Sequence, residues 1–179
     1  MSATREANYP FRWRSVLGVA TGLFLLNGAF NFFAALLVPI SLHLNGPAAV
    51  PGLVLSEPAD AALLGRSVQE IGARDPRLGV YLVSFMDTMC AQMMIFAIAY
   101  LAIAWFAFRR AEDWAFWALA VSGLAWVPYY FVIASTYASS GVSIGLGDYS
   151  VAIFATPAII GAVLGWWAVR GMRAGRTKP

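Results

Sequence analysis

The chain has 179 residues, of which 60% are hydrophobic, 15% aromatic and only 12% charged, with a mean hydropathy of +0.69. This composition excludes an ordinary soluble domain and predicts an integral membrane protein. A single cysteine and a single histidine exclude an intrachain disulfide and a zinc site built from several Cys and His ligands. The net charge of +3 comes mainly from residues at the ends of apolar segments, so we expect no nucleic-acid binding.

Four apolar segments are long enough to cross a bilayer, which takes about 20 residues in a helix. They lie at about 15–42, 80–108, 114–137 and 151–169. The apolar core of the first segment is longer than a signal-peptide core of about 7 to 15 residues, so it is expected to be a retained helix. We therefore predict an all-α fold, a four-helix membrane bundle that forms one domain over 1–179.

The long connection at 43–79 is expected to contain a short helix, because loops of this length usually carry structure or function. Ser56 can cap a helix over about 57–73, in which Leu64, Val68 and Ile71 share one face. This segment is predicted to be an amphipathic extracytoplasmic helix that rests on the membrane surface or across the mouth of the bundle.

Capping residues stand where the later spans are expected to begin. They are Asp75 before Pro76, Glu112 with Asp113, and Asp148 or Ser150. Within the third span, Pro128 lacks a backbone N–H and deprives the Leu124 carbonyl of its helical donor, which predicts a kink.

The distribution of Arg and Lys predicts the orientation of the chain. Most of these residues fall in both tails and in the connection between the second and third spans: Arg5, Arg12, Arg14, Arg109, Arg110, Arg170, Arg173, Arg176 and Lys178. Fewer lie in the first connection: Arg66, Arg74 and Arg77. The positive-inside rule then places both termini in the cytoplasm, and we expect a bacterial inner-membrane protein.

Asp87 is the most informative residue, because it places a carboxyl group inside the second apolar segment. A charge at the membrane centre costs roughly 2.5 to 3.5 kcal/mol on insertion scales, so such a residue suggests a functional site. The same half of the bilayer is expected to hold Asn31, with Asn27 one turn away, and Tyr129 and Tyr130. These five residues are our predicted ligand-binding set, in which the amides and phenols donate to the carboxyl group.

Two alternatives for Asp87 remain open. It can hold two helices together through a hydrogen bond, or it can take part in binding a ligand, a proton or a substrate. His43, at the outer end of the first span, can pair with Asp87 or Asp148, or serve as a metal or tetrapyrrole ligand. We expect no metal and no cofactor.

Small and aromatic residues indicate how the spans pack. Gly18 with Gly22, and Gly161 with Gly165, have the GxxxG spacing that allows helices to approach closely, within the bundle or between subunits. Six tryptophans fall near the predicted cytoplasmic ends and are typical of an interfacial belt: Trp13, Trp105, Trp114, Trp117, Trp166 and Trp167.

The turn between the second and third spans reads Trp105-Phe106-Ala107-Phe108-Arg109-Arg110-Ala111-Glu112-Asp113-Trp114-Ala115-Phe116-Trp117. It resembles the cytoplasmic hairpin of uncharacterised bacterial four-helix membrane proteins of the broad DoxX-like type. The resemblance covers the second and third spans and implies the four-helix fold. It supplies no catalytic residues, and the chain lacks the Cys-x-x-Cys pair of a vitamin K epoxide reductase-like bundle.

Three kinds of function are compatible with these features. We expect foremost a non-catalytic membrane subunit or scaffold that packs against partner subunits or its own copies. The alternative is a pocket near the outer leaflet for a lipid, a quinone or another hydrophobic molecule, anchored by Asp87, with or without catalysis. The third is a small proton-coupled transporter, for which Pro128 and Pro157 supply two helix kinks.

Overall fold

The computed structural model describes residues 11–49, 52–144 and 150–176, and the secondary structure of these residues is entirely helical. The helices are α1 (Val16–Asn45), α2 (Glu57–Leu64), α3 (Val68–Arg74), α4 (Pro76–Ala102), α5 (Asp113–Leu124), α6 (Trp126–Ser139) and α7 (Ser150–Arg176). A short 3-10 turn, Pro47–Ala49, follows α1. A π-helical turn, Ile103–Ala107, and a 3-10 turn, Phe108–Arg110, follow α4.

Among the described residues, three helical segments are long and apolar enough to cross a membrane: Val16–Asn45, Pro76–Arg110 and Asp113–Ser139. By length and composition, they support an integral membrane protein. The segment predicted as the fourth span lies within α7, which has 27 residues and packs against α1 and α5. Helix α1 also packs against α4.

The two ends of this helical assembly differ in their chemistry. At one end, which we call the arginine end, α1 begins, α4 runs into the turn at 103–110, and α5 begins. At the other end, which we call the loop end, α1 finishes, α4 begins, and α2 and α3 lie in the connection. Helix α6 also finishes at the loop end, since Tyr137 near its last turn contacts α2.

The continuous core lies toward the arginine end. Every long helix except α6 contributes to it, and its largest fully buried side chains include Phe24, Tyr100, Phe108 and Leu119. The rings of Phe24 and Phe108 meet edge to face with their centroids 5.2 Å apart, and Phe24 meets Tyr100 in the same way at 6.0 Å. This geometry is the favoured one for aromatic pairs.

At the loop end, the buried apolar residues form two small clusters instead of one core. The first contains Leu42, Met86 and Cys90, which join α1 to α4. The second contains Leu55, Ala59, Tyr137 and Val142, which join the connection and α2 to α6. The helices are therefore held together at the loop end by two separate sets of contacts, one between α1 and α4 and one between the connecting segment and α6.

The helix predicted over 57–73 is wrong in one respect, because the structure has two helices there. Ser56 caps α2 as expected, accepting from the Ala59 N–H, but α2 ends at Leu64. Gly65 then adopts a left-handed conformation with φ of 71°, which glycine accommodates without strain and which commonly ends helices. Ser67 and Glu70 form a reciprocal capping box that starts α3.

The expected start of the second span and the expected break in the third are both confirmed. The Asp75 side chain accepts from the backbone N–H groups of Arg77 and Leu78, so α4 begins at Pro76. The third span divides at Ala125 into α5 and α6, three residues before Pro128. For the fourth span, Asp148 lies outside the described residues.

Close helix approach explains one of the two GxxxG pairs. A Cβ atom on Gly165 would stand 2.9 Å from the Phe116 ring, and one on Gly161 would stand 3.2 Å from the Phe24 ring. These glycines of α7 are therefore used inside the fold, where small residues let helices meet. A Cβ atom on Gly22 would have no neighbour within 4 Å.

We predict that Gly165→Ala destabilises the protein by about 1–3 kcal/mol relative to Gly22→Ala, because only the former overpacks a buried ring. Both substitutions remove a helical glycine, so the gain in helix propensity cancels in the comparison. Denaturant titration in detergent micelles, followed by tryptophan fluorescence, measures the difference. Equal midpoints for the two variants would contradict the packing described here.

Candidate functional site

Asp87 forms an ion-pair contact with the single histidine of the chain. The Nε2 atom of His43 lies 2.9 Å from Oδ2 of Asp87, with His43 on the last turn of α1 and Asp87 on α4. The imidazole donates this hydrogen bond as the Nε2–H tautomer or as the doubly protonated ring. The pair ties α1 to α4 at the loop end.

The two oxygens of the Asp87 carboxyl group have different surroundings. Oδ2 accepts from His43, whereas Oδ1 is buried and has no hydrogen-bond partner among the described residues. The side chain as a whole is 36% exposed and that of His43 is 59% exposed, so the pair is accessible from outside. A buried acceptor without a donor costs about 1–3 kcal/mol, which a bound donor would recover.

The local sequence accounts for the position of this pair. His43 is the basic residue in the last turn of α1, where the helix dipole favours a positive charge. Asp87 lies next to Met86 in the sequence, just as His43 lies next to Leu42, and both apolar neighbours belong to the first loop-end cluster. The packing of that cluster therefore fixes the separation of the two polar side chains.

The other residues of the predicted binding set lie elsewhere. The Asn31 amide donates to the backbone carbonyl of Asn27 at 2.8 Å, and neither residue is hydrogen-bonded to Asp87. The buried Asn27 side chain lies near the Tyr100 hydroxyl. The two groups do not form a hydrogen bond of ordinary geometry, and no other described residue forms one with this hydroxyl. The structure thus brings Asn27 and Asn31 together and pairs Asp87 with His43.

The two tyrosines differ in their environments. Tyr129 is 71% exposed, on the outer surface of α6. Tyr130 packs against the cluster of Leu55 and Ala59 and meets the Trp126 ring edge to face. Neither is a hydrogen-bond partner of the Asp87 carboxyl group in the described structure.

A second carboxyl group, that of Asp60, organises the connection and was missed by the sequence reasoning. It is only 3% exposed and accepts from the backbone N–H groups of residues 53–55. It also accepts from the Tyr137 hydroxyl at 2.6 Å, which ties α2 to α6. The sequence does contain an indication that Asp60 is buried. It precedes Leu64 by one helical turn and therefore lies on the same face as the apolar residues Leu64, Val68 and Ile71.

A cavity of about 440 Å³ lies beside this carboxyl group at the loop end. It is lined by Pro47, Gly52, Leu53, Glu57, Asp60, Ser67, Val68 and Gln69. Leu53 connects it with the histidine–aspartate pair, since it also packs against the cluster of Leu42, Met86 and Cys90. Asp60 holds the Leu53 backbone and so positions the wall between cavity and cluster.

The described residues contain no group of three or more His, Cys, Asp and Glu side chains placed to hold a metal ion. Cys90 is buried in the first loop-end cluster. No protein-family model, no curated protein and no solved structure matches the chain.

We predict that Tyr137→Phe lowers the free energy of unfolding by about 1–3 kcal/mol, because it removes a donor from a buried carboxylate. The matched control is Tyr129→Phe. Because the Tyr129 side chain is exposed, we expect this substitution to change the free energy of unfolding by no more than about 0.5 kcal/mol. Denaturation in detergent micelles measures both. If Tyr137→Phe were as stable as the control, the Asp60 contact would not stabilise the fold.

Proposed function

We propose that this protein binds a hydrophobic molecule that carries a hydrogen-bond donor, at the loop end of its helices. The observation that carries the proposal is the Asp87 carboxyl group, whose buried Oδ1 has no partner among the described residues while Oδ2 is bound by His43. Intramembrane ionisable residues generally serve a function, because their insertion is costly.

The surroundings support a largely apolar ligand. Leu42, Met86 and Cys90 pack beneath the pair, and Leu53 and Val83 adjoin them. Methionine and other flexible apolar side chains suit adaptable hydrophobic pockets, in which a few polar groups orient the ligand. The free Oδ1 lone pairs require a donor, which favours a hydroxyl- or amine-bearing lipid, or the reduced form of a quinone, over a molecule with acceptors alone.

The connection supplies a cover for such a ligand. The four hydrogen bonds to Asp60 anchor residues 53–55 and link them to α6, which keeps Leu53 against the cluster. Positioning by a satisfied buried carboxylate gives the loop a defined shape without a core of its own. A ligand bound at Asp87 would meet this apolar wall.

We expect Asp87→Asn to retain less co-purifying hydrophobic ligand than the wild type, by about tenfold, because the amide is neutral and the ion-pair contact with His43 is lost. Native mass spectrometry of protein released from detergent measures the bound fraction. Asp75→Asn is the matched control, since it makes the same chemical change on the same helix, where Asn is an equally good N-cap.

Equal ligand occupancy in the wild type, Asp87→Asn and Asp75→Asn would remove Asp87 from the site. His43→Gln provides an independent check, because it retains a donor near Oδ2 but loses the imidazole. An occupancy that falls in Asp87→Asn, but stays near the wild-type value in His43→Gln and in Asp75→Asn, is the result that the proposal requires.

A second proposal is a non-catalytic subunit or scaffold that packs against partner subunits. It is supported by α6, whose buried face meets the connection while Tyr129, Phe131 and Val132 are exposed on the rest of its surface. Purification in mild detergent at native expression tests it. Co-purification of a stoichiometric protein is expected, and a monomer without one would count against it.

We also propose that the bundle has four spans, with α7 as the fourth, and that both termini are cytoplasmic in a bacterial inner membrane, as in the DoxX-like proteins that the hairpin resembles. The balance of Arg and Lys supports this orientation.

In a Cys90→Ser background, we predict that a membrane-impermeant maleimide labels Arg66→Cys in cells with a permeabilised outer membrane. Lys178→Cys should react only after the inner membrane is opened, and the reverse pattern would invert the orientation.

A further inference from the structure

Five arginines stand at the arginine end, on three different parts of the chain. They are Arg12, Arg14, Arg109, Arg110 and Arg170. The segment before α1 folds back onto the helix, since a Cβ atom on Gly18 would clash with the Arg12 and Trp13 carbonyl groups. This fold places the Trp13 ring 6.3 Å from the Trp105 ring, so the beginning of α1 adjoins the end of α4.

Two of these arginines are held by tryptophan rings. The guanidinium carbon of Arg109 lies 4.3 Å from the centre of the Trp105 ring, and that of Arg170 lies 4.2 Å from the centre of the Trp166 ring. A stacked guanidinium uses its flat face for this contact, and its five N–H groups point outward in the plane. The contact with the ring therefore orients the guanidinium N–H groups and leaves them available for hydrogen bonds.

The positive charge of these arginines is only partly offset by nearby acids. Glu112 and Asp113 lie near the arginines in the chain, and the Glu112 carboxylate accepts from the Trp114 indole at 2.6 Å. The arginines outnumber these two acids, so an anion is favoured here.

The depth of the site identifies the kind of anion. Trp13, Trp114, Trp117 and Trp167 are exposed around this end, and such tryptophans lie at the level of the lipid head groups. Phe106, also exposed, lies just before the arginine pair in the turn. Arginines at this depth meet lipid phosphates before they meet soluble anions.

We propose that the arginine end is a binding site for a phospholipid with an anionic head group. Arg109, fixed over Trp105, donates in a planar fork to the phosphate. Trp13 and Trp105 flank the glycerol and ester region, and the neighbouring arginines supply the long-range attraction. This site is separate from the ligand site at Asp87, which lies in the first half of α4, whereas Arg109 follows the end of that helix.

The test uses the full chain in detergent, with phosphatidylglycerol or phosphatidylcholine of identical acyl chains added before native mass spectrometry. We expect the wild type to retain the anionic lipid in preference to the zwitterionic one. Arg109→Gln should weaken retention of phosphatidylglycerol about fivefold, the effect of one basic residue near anionic lipid. Arg66→Gln, an exposed arginine at the loop end, is the matched control and should leave retention unchanged.

If Arg109→Gln folds poorly, two further measurements test the proposal. Arg109→Lys preserves the charge but lacks the planar fork, so it should bind phosphatidylglycerol more weakly than the wild type and more strongly than Arg109→Gln. Inorganic phosphate at millimolar concentration should not displace the lipid. Equal retention of both lipids, displacement by phosphate, or an equal loss in Arg66→Gln would each overturn the lipid site.

Discussion

The fold depends on the close packing of aromatic rings against small residues at the arginine end. In a membrane, lipid tails are as apolar as the helix surfaces, so helices associate through van der Waals fit and not through a hydrophobic driving force. Phe24 and Phe116 fill the spaces left by Gly161 and Gly165 of α7, and Phe108 from the turn completes the cluster. This contact joins α1, α5 and α7 at one level and holds the helices from which the loop end extends.

Two carboxyl groups at the loop end illustrate opposite solutions to the cost of burial. Asp60 is almost fully buried, but three backbone N–H groups and the Tyr137 hydroxyl satisfy it. Asp87 is more exposed, yet one of its oxygens is buried without a partner in the described chain. The first group is explained by the fold itself. The second leaves an acceptor available, and this difference is the physical basis for placing a ligand at Asp87.

The polar features at the two ends of the structure favour different ligands. The arginine end presents cations that tryptophan rings hold in place, a combination suited to lipid phosphates. The loop end presents one acceptor beside an apolar cluster, which suits a donor on a hydrophobic molecule.

Local and periodic features were determined by the sequence alone, because they depend on neighbouring residues. Apolar length predicted the three described spans, Asp75 and Ser56 predicted helix starts, and Pro128 predicted the division of the third span. Side-chain partners were decided only by the tertiary structure, because they depend on how each helix is rotated and where the connection folds. Thus Asp87 lies beside His43, Asn31 bonds to Asn27, and Asp60 reaches across 77 residues to Tyr137. The division at Gly65 lies between these cases: glycine permits a left-handed turn, but the folded connection determines that the turn is used.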